Sequence, residues 1–116
     1  MAHAIWNAAD TVTSARLIYP ETRAALAAAQ RAKRVPGRVL PSVLLSLEER
    51  FADLELIELS RIVARAAGEA AERYALRAND AIHLASALAI PEKVTVSTWD
   101  AELRRASLAA GLSVSP

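Results

Sequence analysis

Apolar positions recur along this chain with two different periods, and the switches between them divide it into alternating elements. From Ser60 the apolar pairs Ile62/Val63, Ala66/Ala67 and Ala70/Ala71 return every four residues and end at Tyr74, which predicts an amphipathic helix. Arg61, Arg65, Glu69, Glu72 and Arg73 fill its other face. Residues 80–90 are apolar on nearly every side, so they predict a helix covered on nearly every side and closed by Pro91. Strand signals lie between the helices. "TVTS" (11–14), the alternating "LELIEL" (54–59) and "KVTVST" (93–98) read as strands, and the terminal "LSV" as an edge strand.

Two further helices complete the alternation. Ser14 is a candidate N-cap for the Ala-rich stretch 15–34, where Pro20 demands either a kink or a helix that begins near it. "VPGRVLP" (35–41) reads as a loop, after which Leu44, Leu47, Phe51 and Leu54 follow Ser42 at helical spacing. "WDAELRRASLAAG" (99–111) predicts a helix that ends at a glycine. Strand and helix in alternation imply an α/β fold around a mainly parallel sheet. At 116 residues, 1–116 reads as a single domain.

Composition narrows the class. The chain is 53% hydrophobic and 23% charged, which excludes disorder. Fourteen basic against thirteen acidic residues leave a net charge of +1, so contact with a nucleic acid would need a local patch. Cysteine is absent, which removes disulfides, a thiol nucleophile and a Cys-based zinc site, and suits a reducing compartment. No apolar run approaches the roughly 20 residues of a membrane helix, and "MAHAIWNAAD" lacks the charged leader and apolar core of a signal peptide. The expectation is a soluble, cytoplasmic protein.

Three acids stand where an α/β fold puts function. In open parallel sheets ligands bind beyond the carboxyl ends of the strands. Asp100 follows strand 93–98, Asp80 opens helix 80–90, and Glu21 lies seven residues after Ser14, so all three can share one edge. Close carboxylates repel by about 4 kcal/mol per pair at an effective dielectric of about 20, so such a cluster needs a cation or protons. Oxygen ligands suit Mg²⁺ or Mn²⁺, which activate water and support in-line attack at phosphorus. Each acid alone also reads as a helix-start residue that complements the dipole, with Asn79 able to cap beside Asp80.

Other chemistry-bearing residues surround this set. His83 reads as a hydrogen-bonded structural histidine, and His3 lies in the terminal segment. Trp99 reads as a packing residue at the sheet edge, with base stacking as its other use. Arg23, Arg31, Lys33, Arg34 and Arg38 crowd a stretch, 22–47, that holds no acid. This makes them either solvated surface or a patch that tracks phosphates.

"LRANDAIHLASAL" (76–88), followed by "VTVSTWDAEL" and "GLSV", resembles the C-terminal half of a PIN domain, particularly the toxin component of VapBC-type toxin–antitoxin pairs. "TVTSARLIYPETRAALAAAQRAKR" resembles that family's second strand and helix. Separations of 59 residues from Glu21 to Asp80 and 20 from Asp80 to Asp100 agree with it. The resemblance implies a three-layer α/β/α domain, Mg²⁺- or Mn²⁺-dependent endoribonuclease activity on RNA, a homodimer and a small antitoxin partner. It matches Glu21, Asp80 and Asp100 to acidic metal-site positions and Thr98 to a hydroxyl beside the metal.

One departure qualifies what the resemblance implies. PIN domains usually open with a central strand that bears an Asp-x-Ser/Thr aspartate, and this sequence starts after it, so the first strand is expected to be missing. Asp10-Thr11-Val12-Thr13-Ser14 echoes the motif, but Asp10 is only 11 residues before Glu21. Hydrolysis is therefore expected to be weak, and the slot left by the strand is expected to invite pairing with another chain. The alternative is a catalytically silent module for dimer and antitoxin contacts; a weaker one is a structural subdomain whose acids only start helices.

Overall fold

In a computed structural model, residues 12–115 are described. His3, Asp10 and Thr11 lie outside them. In chain order the elements are β1 (Thr13–Ala15), α1 (Ile18–Arg31), a 3₁₀ turn (Gly37–Val39), α2 (Leu40–Ala52), β2 (Glu55–Ile57), α3 (Arg61–Tyr74), α4 (Ala78–Leu88), β3 (Thr95–Ser97), α5 (Ala101–Ala109) and β4 (Ser113–Ser115). The α/β alternation read from the periods is the one observed.

Among the described residues all strand pairing is parallel, but it comes in two pieces. β1 pairs with β2 (Thr13 with Glu55, Ala15 with Ile57), and β3 pairs with β4 (Thr95 with Ser113, Ser97 with Ser115). No strand among the described residues joins the two pairs. Three-residue strands contribute few ladder bonds, so the helices supply most of the core.

That core is built on α4. Ala81, Leu84 and Ala85 are buried against Val63, Ala67 and Ala70 of α3, Leu76 of the α3–α4 turn, and Leu103 and Ala106 of α5. The small side chains of α3 and α4 let the two helices lie close together, which places many apolar atoms out of water per turn. Ser60 caps α3 by accepting the Val63 N–H (3.2 Å). Ala75 then ends α3 in the left-handed region (φ 54°) that usually takes glycine, and this reverses the chain into α4. Gly111, at φ 90°, does the same after α5.

Three sequence expectations are corrected. Ser14 lies within β1 and caps nothing; α1 begins at Ile18, so Pro20 sits in its first turn, where its missing N–H breaks no helical bond. Of the pair Ile62/Val63 only Val63 is buried, and Ile62 is 81% exposed, because the α3–α4 contact is narrow enough for one residue per turn. The covering of 80–90 stops short of its end: 84–86 are buried, but Leu88 is 46% exposed. No helix among the described residues is long and apolar enough to cross a membrane.

Candidate functional site

Glu21 is carried by the first turn of α1, three residues after Ile18, where the helix begins. Its carboxylate is held by α4 across 58 to 62 residues of sequence: Asn79 Nδ2 donates to Oε2 (3.3 Å) and His83 Nε2 donates to Oε1 (2.5 Å). Asn79 therefore serves Glu21 and does not cap α4, whose N-cap position is Arg77 with no side-chain bond. The expectation of a hydrogen-bonded His83 is met, with a candidate metal ligand as its partner.

Asp80 occupies the first turn of the same helix. Its Oδ2 is buried and has no hydrogen-bond partner. Burial pushes its carboxyl pKa above the usual carboxylate range, and the negative charges of Asp100 and Glu21 push the same way against Arg77 and His83. Asp100 caps α5: its Oδ1 accepts the Leu103 N–H (2.9 Å), and its own N–H donates to Thr98 Oγ1 (3.1 Å). The helix-start reading is thus true of Asp100, and it uses one carboxylate oxygen.

An orphaned carboxylate oxygen with like charges beside it is a donor set suited to a hard cation, which would satisfy the oxygen and screen the repulsion. By this measure the chemistry of the donors suits a hard divalent cation. Among the described residues, however, no three His, Asp or Glu side chains are gathered tightly enough to hold an ion, and Glu21 is bound to His83 and Asn79.

A family profile described as the PIN domain matches residues 2–108. This chain belongs to the PIN domain family. It is 41% identical over 117 aligned positions to "Ribonuclease VapC45" of Mycobacterium tuberculosis (strain CDC 1551 / Oshkosh) and, to the same extent, to "Ribonuclease VapC49" of strain H37Rv. Each alignment covers all of this chain and 81% of the relative. No solved structure matches the chain significantly.

In this PIN domain the predicted basic residues do not gather at the acids. Arg23 bonds to the Tyr19 hydroxyl one turn earlier on α1 (2.9 Å) and faces Glu48 of α2 across the helical hairpin (3.5 Å). Arg31 ends α1 ten residues beyond Glu21, about 15 Å along the helix. Lys33, Arg34 and Arg38 continue past it, all exposed. The cation that does act on the acidic cluster is Arg77, exposed at the head of α4 and close enough to lower the Asp80 pKa. Sequence reasoning passed over Arg77 and read Asn79 only as a cap, although "RAND" sets both within three residues of Asp80.

Proposed function

We propose that this PIN domain is a divalent-metal-dependent endoribonuclease of the VapC type, acting on single-stranded RNA in the cytoplasm and restrained by a small antitoxin protein. The observation that carries the reading is Asp80, whose buried Oδ2 has no partner and whose neighbours are two further carboxylates. The ribonuclease names of the two relatives support it. Asp80, Asp100 and Glu21 would hold Mg²⁺ or Mn²⁺, which would supply water activation and stabilisation of the leaving oxygen at phosphorus.

The chain's own residues set the stage for that chemistry. His83 and Asn79 fix the Glu21 carboxylate on α4, so the two helices that carry Glu21 and Asp80 keep their spacing. Thr98 fixes the backbone of Asp100 through its hydroxyl. Arg77 offers a cation to an incoming phosphate, and Arg31, Lys33, Arg34 and Arg38 offer a second anchor further along the strand.

Incubation of the chain with single-stranded RNA should give cleavage in Mg²⁺ or Mn²⁺ and none in EDTA, and Glu21→Gln should lower the rate by at least about tenfold. Equal cleavage in EDTA, or indifference to Glu21→Gln, would sink the reading. The reading includes self-association. β1 has β2 as its sole strand partner among the described residues, which leaves an edge to which a second copy can add a strand. Sedimentation velocity should show a dimer, and a monomer at high concentration would overturn this part.

A further inference from the structure

The turn from β3 into α5 is fixed on both sides of Trp99. The Thr98 N–H donates to the Ser115 carbonyl (3.0 Å), the Asp100 N–H donates to Thr98 Oγ1 (3.1 Å), and Asp100 Oδ1 accepts from Leu103 (2.9 Å). Between these anchored residues the indole is 78% exposed. Among the described residues it makes no hydrogen bond and no ring contact. The expectation that Trp99 packs at the sheet edge is therefore overturned: folding gains little from this side chain, yet its mount is rigid.

What the indole can take is limited by its surroundings. Ser97, Thr98, Asp100 and Glu102 flank it, so its own segment offers no continuous apolar surface to a protein partner. Asp100 and Glu102 disfavour a direct approach of phosphate, whereas a base is uncharged and presents a π-face whatever its identity. Trp99 immediately precedes Asp100 in the chain, so a strand held at that acid through a divalent cation would run beside the turn that carries the ring.

On the ribonuclease reading, we propose that Trp99 is a stacking platform for an unpaired base of single-stranded RNA, which positions the nucleotide beside the acidic cluster. Stacking on an aromatic side chain is sequence-tolerant, so the platform contributes affinity and register without selecting one base. Its loss acts on substrate binding and leaves the reacting groups in place.

The test uses Trp6→Phe, which leaves Trp99 as the single indole of the chain. In EDTA, a single-stranded oligoribonucleotide should quench its emission, while an abasic strand of equal length, seen by anisotropy to bind, should not. In Mg²⁺, Trp99→Ala should raise KM about tenfold with kcat within about twofold, and Trp99→Tyr should restore most of the loss. Because the ring is exposed, both variants should melt like the parent. RNA that binds and is cleaved with no change in emission or in KM would overturn the platform and leave the ribonuclease reading standing. If no RNA binds at all, that reading falls, and the platform with it.

Discussion

Replacing Asp80 by Asn should cut metal-dependent RNA cleavage by about 100- to 1000-fold and at the same time raise the melting temperature of the metal-free chain at neutral pH. Both effects come from one oxygen. Asp80 Oδ2 is buried without a partner, and Asp100 and Glu21 add negative charge around it. With a cation bound, that arrangement is an affinity; without one, it is a repulsion held in place by the fold. An amide of nearly the same shape removes the repulsion and the ligand together.

The pH dependence follows from the direction of the shift. The Asp80 pKa is raised above its ordinary value of 3.8 by burial first and by the two acids second. A raised carboxyl takes up its proton more readily in the folded chain, so its contribution to stability is complete below about pH 3.8 and is lost as pH rises through the folded value. In EDTA the parent and Asp80→Asn should therefore melt alike in acid and diverge toward neutrality, with the variant the more stable. Mg²⁺ or Mn²⁺ should raise the melting temperature of the parent and leave that of the variant nearly unchanged. Identical melting curves at every pH, with cleavage intact, would remove Asp80 from the site.

Much of this arrangement is legible in the sequence because it depends on local pattern. The period of four in 60–74 and the apolar run after Asp80 give α3 and α4, and Asp100 before "AEL" gives a helix start. What the pattern cannot carry is which partner a residue meets across the fold. Ile62 and Val63 are equivalent as letters, and only the closeness of α3 to α4 selects Val63 for burial. Arg23 reads as part of an acid-free basic run, yet Glu48 lies one residue beyond that run and returns against it when α2 folds back on α1. His83 reads as buried and bonded, but its partner is 62 positions away. Trp99 reads as packing because large aromatic residues usually pack, and exposure at a functional edge carries no periodic signal.

The site also depends on how firmly its mount is packed, which Leu84→Ala tests. Asp80 and Leu84 are four residues apart on α4, so they lie on one face, the acid at the mouth and the leucine one turn deeper. Leu84 has no exposed surface, and Ala81, Ala85, Leu103 and Ala106 of its cluster are nearly as covered, so few neighbouring side chains are long enough to move into a vacated space. Removing its branched end should therefore leave a cavity and cost about 3 kcal/mol, which for a domain of this size is about 15 °C of melting temperature. Leu88, one turn further and 46% exposed, is the internal comparison, and Leu88→Ala should cost less than about 1 kcal/mol. Denaturant unfolding of the two variants measures the difference directly. Equal losses would mean that α4 is not clamped at Leu84. In that case the precision with which Asp80 is held would have to come from the Glu21 bonds to Asn79 and His83 instead of from the core.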